Sequence, residues 1–409
     1  MKTRWLIYLV YLSGIVTACA TTGPTGDADD PATQPLGSPD AGTVADGGLD
    51  ALASESGTAP CDDCEYFPET CAPDVFCPNG PFEPEQSDGG LDSRTSISVI
   101  RGRSKTDVWA AGPGGALAHF DGTTWVTVNL GIQETIRGLW LRDSSEVSLA
   151  GLSRLYARGG ALPDGGVRTP DGAWAFYAPS YVDDQVPTAM DRLSTAWAAP
   201  GAEWLWCGAL GSGVGDSFEQ GGGLWRLRQS PSAPFESASG ISKTNCGVAG
   251  CANVSSIHGW STNDLWAVGP SGATVLISDA QGAAPSAKGY NSQTLNALSG
   301  VWAASATDAW SVGAVGTIRH YTGDPMLWDI VPDIPTNVNL NAVWGSSPMD
   351  VWAVGDSGVV LHFDGASWSR VKIAGLGRLR PQLTTVWVAE PGHVWIGGQG
   401  VILSLGGRS

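Results

Sequence analysis

The cysteines are the first residues in this sequence able to do chemistry. There are eight: Cys19, Cys61, Cys64, Cys71, Cys77, Cys207, Cys246 and Cys251. Cys61, Cys64, Cys71 and Cys77 fall within 17 residues. Two disulfides stapling a small loop are the expected outcome, with the connectivity open because four cysteines allow three pairings. A tetrahedral zinc site is the alternative, since two cysteines separated by two residues can share one ion. The second pair has five residues between its members, and disulfides persist in an oxidising compartment. No metal and no cofactor is therefore expected. Cys246 and Cys251 are spaced to close a small loop of their own. Cys207 is left over inside a predicted strand, where a buried, inert thiol is the default.

Acids, imidazoles and indoles recur at fixed intervals. The segment 340–355 reads LNAVWGSSPMDVWAVG, 298–313 reads LSGVWAASATDAWSVG, and 254–269 reads VSSIHGWSTNDLWAVG. The first copy, 97–112, is ISVIRGRSKTDVWAAG and the last, 383–398, is LTTVWVAEPGHVWIGG. Two worn copies begin at Ile136 and Leu193, which makes seven. The acid position is Asp107, Glu146, Glu203, Asp264, Asp308 and Asp350, with His393 in the seventh slot. Paired carboxylates can do acid–base work, but a catalytic group has no reason to recur in every copy, and Asp caps turns through its own backbone. His119, His320 and His362 also share one slot. No GxSxG, HExxH or P-loop sequence is present. A non-enzyme is the reading that follows.

These residues need elements to position them. The 56 Gly and 26 Pro, with only 15% charged residues, suit short strands and turns rather than helices. A period near 42 is one four-stranded propeller blade. Each copy supplies an innermost strand ending in Trp, a second strand Asp-Val-Trp-Ala-Val-Gly, a third such as 358–363, and an Asp-Gly turn into a fourth. The expected fold is all-β, a seven-bladed β-propeller over residues 95–409. The last copy ends near Leu405 without a fourth strand. The segment from Val75 to Phe82 is the candidate to supply it.

Eighteen of the 19 tryptophans lie in this region. Those of the second strand, Trp109, Trp266, Trp310, Trp352 and Trp395, are expected between blades, with each indole N–H on a neighbouring carbonyl. The innermost-strand position reads Arg101, Trp140, Trp197, His258, Trp302, Trp344 and Trp387. It faces the central channel and is the candidate ligand-binding set, with core packing as the plainer alternative. A second channel position, Ser98, Arg137, Ser194, Ser255, Ser299, Asn341 and Thr384, is polar in every copy and is expected to face solvent. Two intervals between acid positions exceed the common period by 15 and 19 residues, after Leu155 and after Gly208. The first excess carries Trp174, Phe176, Tyr177, Tyr181, Asp183 and Asp184; the second carries Asp216, Phe218 and Glu219. Insertions of this kind fall in loops and often bind partners, so Trp174, Tyr177 and Tyr181 join the candidate ligand-binding set.

The repeat resembles that of the Trp-rich propeller lipoproteins of myxobacteria, over roughly 95–405. More remotely, the Asp-Gly-x-x-Trp turns at 121–125 and 364–368 look like the Asp-box (BNR) repeat of sialidase-like propellers. The first resemblance implies an envelope-facing lipoprotein and brings no catalytic residue with it.

The N-terminus agrees. Lys2 and Arg4 precede an apolar run from Trp5 to Val16, of secretory length and too short for a stable span. It closes on Val-Thr-Ala-Cys19, which resembles a bacterial lipobox. Residues 1–18 then form a lipoprotein signal peptide, and Cys19 becomes the palmitate-type acylated N-terminus, a membrane anchor in the cell envelope. Ala20 rather than Asp at the next position favours the outer membrane. Residues 19–60 read as a disordered acidic linker, and 61–94 as a small Cys-rich segment. The net charge is -18. Residues 20–93 hold 16 acids and no Lys or Arg, which leaves the propeller near neutral. Nucleic acid is excluded as a partner. The expected function is a monomeric, exported, lipid-anchored binding module for a protein or a cell-surface glycan. A sialidase-like, glycan-active hydrolase and a scaffold in envelope assembly are the alternatives.

Overall fold

The computed structural model describes residues 63–82, 90–160, 166–188, 191–211, 222–230 and 233–406. The signal peptide, Cys19, the linker and Cys61 lie outside the described residues, as do Asp216, Phe218 and Glu219. Seven sheets of four or five strands, antiparallel but for one added edge strand in the third, follow one another along the chain. Their innermost strands are Val99–Ser104, Gly138–Arg142, Asp191–Trp197, Ser256–Gly259, Leu298–Ser305, Leu340–Ser347 and Leu383–Glu390. Each packs against the next, and the seventh returns to the first, which closes the ring. The fold is a seven-bladed β-propeller.

The last blade is completed by the segment expected to do so. Phe76–Pro78 pairs antiparallel with Val401–Leu405, placing Phe76 opposite Leu405 and Pro78 opposite Leu403. Phe76 is fully buried, edge-on to Trp352 with centroids 5.4 Å apart. The cysteine segment is thereby part of the propeller. Cys71 is bonded to Cys77, Cys64 is disulfide-bonded as well, and Cys246 is bonded to Cys251. Asp63 accepts from Arg380 at 2.9 Å and 3.0 Å, and Arg380 lies over the Phe67 ring.

Blades cannot keep both faces dry alone, so the cores form between them. Trp302, Trp310 and Ile318 of the fifth blade pack with Leu340, Val343 and Trp368 of the sixth. Two of the innermost tryptophans, Trp302 and Trp387, need glycine on the next blade. A Cβ on Gly345 would lie 2.8 Å from Trp302, and one on Gly102 2.5 Å from Trp387. The Asp-Gly turns work as an Asp cap on a glycine kink. Asp121 Oδ1 accepts from the Thr123 and Thr124 amides, both at 2.8 Å, while Gly122 sits at φ +95.

The first long interval does not loop over a face; Asp216, Phe218 and Glu219 of the second lie outside the described residues. The first contributes Ala175–Tyr177 as the fourth strand of the second blade and Val167–Arg168 as a fifth. Ser180–Tyr181 then adds to the outer edge of the third blade, parallel to Glu236–Ser239. This insertion thickens two rims, because its Tyr, Phe and Trp residues have rim core to fill.

Candidate functional site

The channel is built by one irregularity repeated in the innermost strands. At Ser194, Ser299, Asn341 and Thr384 the register skips a residue. Ser98, Arg137 and Ser255 show the same doubling, their amides bonding the carbonyl already opposite the next residue. A bulge re-aims the extra side chain, which is why this position is polar in every copy. Solvent is not its only contact, as the sequence suggested. Ser194 Oγ donates to Val254 O at 2.5 Å, Asn341 Nδ2 to Leu383 O at 2.8 Å, and Thr384 Oγ1 to Ile97 O. Each acceptor belongs to the following blade, so these side chains stitch the ring.

The channel has two chambers. The smaller, about 160 Å³, is lined by the bulge residues, with Arg137 and without any carboxylate among its lining. It opens beside the turns between second and third strands; Asn341 bonds Asp356 there, and Phe67 of the cysteine segment packs on Gly358. The chain therefore enters the propeller on this face. The larger chamber, about 570 Å³, opens on the opposite face. It is walled by Trp140, Trp197, Trp344, Trp387, His258 and Arg101, together with Trp260, Arg103, Arg142 and Asp143. The structure thus gathers six of the seven innermost-strand candidates. Trp302 is the exception, being tucked against Gly345 in the seam.

Arg101 and Trp344 border both chambers and form the neck between them. The Arg101 guanidinium lies 4.4 Å over the Trp344 ring. One of its nitrogens donates to Ile100 O at 2.7 Å. It forms no ion pair among the described residues, and burial pulls its pKa down to about 10. A desolvated cation without a counter-ion costs several kcal/mol, of which the indole face returns only ~2. The other cations of the mouth are occupied. Arg103 holds Asp107 at 2.8 Å and Glu146 at 2.7 Å. Arg142 donates to Gln229 Oε1 at 2.5 Å and lies over Trp140.

His258 is not a titrating ligand. Its Nδ1 accepts from the Ala303 amide of the next blade at 3.1 Å, and its ring sits between Trp197 and Trp344. Burial, with the Arg101 charge adding to it, pushes its pKa down to about 3. It is a neutral pin across a blade seam.

The repeated acids are structural. Asp350 Oδ1 accepts from Trp352 Nε1 at 2.8 Å and contacts His362 Nε2 at 2.7 Å, while the imidazole stacks on that same indole at 4.0 Å. Asp107, Trp109 and His119 repeat the clamp at 3.1 Å and 2.8 Å. In the fifth blade Asp308 meets His320 at 3.2 Å, and Trp310 Nε1 has no partner among the described residues. Burial alone would raise the Asp350 carboxyl, but the bonds from His362, Ser346 and Trp352 outweigh it and hold it below the ordinary range. The indole N–H groups of Trp109 and Trp352 thus go to a carboxylate, not to the carbonyl expected. The acid two residues before each indole is the nearer acceptor.

The rim candidates are placed elsewhere. Trp174 is fully buried against Trp109, and Tyr177 is buried against Phe235. Tyr181 lies half-buried on the added edge strand. None of the three lines the channel. Sequence reasoning missed Trp260, Arg103 and Arg142. Trp260 was findable, because the copies at 298 and 340 have Ala304 and Ser346 in its slot. Cys207 is buried, and burial pushes its thiol up to about 12. Among the described residues no cluster of His, Cys, Asp and Glu could hold a metal ion.

No family model and no curated protein matches this chain. Solved structures share its fold. A structure titled "YCF48 bound to D1 peptide" superposes with a TM-score of 0.54 at 15% identity, covering 83% of this chain and 96% of that one. YCF48 from Cyanidioschyzon merolae gives 0.55 at 12% identity, covering 77% and 96%.

Proposed function

We propose that this protein is a binding module that receives a segment of a protein partner in the large chamber. The observation that carries the reading is the chamber itself, about 570 Å³ deep in a rigid ring and walled by five tryptophans. Concave sites with aromatic walls and a few polar groups suit ligand capture, and indoles anchor protein interfaces. The lining holds Arg and one Asp but neither Tyr nor Glu, so the arginine, tyrosine and glutamate set of a sialidase-type centre is not assembled in it. The fold similarity to a propeller whose structure carries a peptide supports the same reading.

The setting belongs to the proposal too. Cys19 is the lipidation site of an exported, envelope-anchored chain of the myxobacterial Trp-rich type. Metabolic labelling with palmitate should mark the wild type and leave C19A unmarked.

The test of binding uses the purified full chain, a randomised hexapeptide library and a glycan array. The wild type should retain peptides, and the double variant W260A/R142A, altered at the mouth wall, should retain at least tenfold fewer. Retention on glycans alone, or peptide retention indifferent to the double variant, would overturn the reading.

A further inference from the structure

The neck of the channel holds a charge that no carboxylate among the described residues balances. Asp107, Glu146, Glu203, Glu236, Asp63, Asp92, Glu134 and Glu390 each pair with an Arg or Lys, yet among the described residues Arg101 has only the Ile100 carbonyl and an indole face. A guanidinium carries five N–H donors in a planar fork that matches a carboxylate. The smaller chamber beyond the neck adds Arg137, with Arg192 near enough to lower its pKa further once burial has done so. Across both chambers Asp143 is the single acid among the lining residues. A chain of net charge -18 thus keeps a positive channel.

We propose that Arg101 is an anion-recognition residue, taking a carboxylate that a peptide carries down the large chamber to the neck. The carboxylate is a chain terminus or an Asp or Glu side chain. The proposal rests on the peptide-binding reading above and gives it a chemical specificity. The walls explain the approach. Trp140, Trp197, Trp344 and Trp387 give an apolar, partly desolvated passage, and charge-assisted hydrogen bonds strengthen as water is excluded. One guanidinium N–H is spent on Ile100, which fixes the fork while leaving the others for the ligand. Arg226 and Arg319 are buried without a carboxylate too, but they give two and three N–H groups to backbone carbonyls, where Arg101 gives one and borders both chambers.

The experiment uses the full chain as wild type, R101M and R101K. Methionine keeps a stem over Trp344 without the charge; lysine keeps the charge without the fork. The probes are randomised hexapeptides in four sets: free C-terminal acid or C-terminal amide, each with or without Asp and Glu. Retained peptides are identified by mass spectrometry and their Kd measured by tryptophan fluorescence. The wild type should favour carboxylate-bearing peptides at least tenfold over fully amidated, acid-free ones. R101M should lose that preference while still binding neutral peptides, and R101K should restore part of it. Preference for the acid-free set with a free terminus assigns a chain end; preference for amidated peptides with Asp or Glu assigns a side chain. If wild type and R101M select alike, the Arg101 proposal falls and peptide binding stands. If the wild type retains no peptide, both fall. Should R101M prove unfolded, R101K decides: selection unchanged from wild type refutes bidentate recognition, and a weakened acid preference supports it.

Discussion

His258 offers the sharpest test of how the ring is closed. It is 7% exposed, accepts from Ala303 N with Nδ1, and has its pKa held near 3 by burial and by the Arg101 charge. In the unfolded chain it titrates near 6.5. The unfolded state therefore binds the extra proton between those values. The stabilisation from keeping this ring neutral is complete above pH 6.5 and is lost as pH falls toward 3, by ~1.4 kcal/mol per pH unit. Between pH 7 and pH 5 the loss is ~2 kcal/mol, or ~3 °C in Tm for a propeller of this length. His258→Asn retains an acceptor for the Ala303 amide and cannot titrate. Urea unfolding of wild type and H258N at pH 7 and pH 5 isolates the effect, because every other group titrates equally in both. The gap in unfolding free energy should close by ~2 kcal/mol in favour of H258N on going to pH 5. A gap that stays constant would show that the imidazole is protonated or solvated in the fold, and would remove the seam pin from the account.

Three further outcomes follow from the same geometry. Phe76→Ala opens the closing strand against Trp352 and should cost ~3–5 kcal/mol in equilibrium unfolding; a cost under ~1 would show that the seventh blade holds without it. Gly102→Ala sets a Cβ 2.5 Å from both Trp387 and the Asp107 carbonyl, and should destabilise by ~1–3 kcal/mol with a shifted near-ultraviolet circular dichroism signal. Cys207, with its thiol pushed up to about 12, should resist Ellman's reagent in native protein at pH 8 and react at once in 6 M guanidinium; prompt native labelling would contradict its burial.

Sequence and structure divide the work unevenly. The seven-copy repeat alone fixed the blade number, the strand order and the closing segment, because a 42-residue period with a Trp and a turn Asp in constant slots admits few other packings. The polar bulge position was visible as a column of Ser, Thr, Asn and Arg. Its role as a stitch to the next blade was not, since that depends on a register skip which places the side chain against a neighbouring carbonyl. The extra residues after Leu155 read as an exposed aromatic loop, and composition alone could not tell a loop from a rim strand. Trp174 is the instance, surface-like in an insertion yet fully buried. The innermost slot shows the limit most clearly. Arg101, His258 and Trp302 occupy equivalent places in the repeat, but ring closure makes the first an unbalanced cation at a neck, the second a neutral seam pin and the third a wedge against glycine. Burial and charge balance are set by what the other six blades bring to the axis, and no local stretch of chain carries that information.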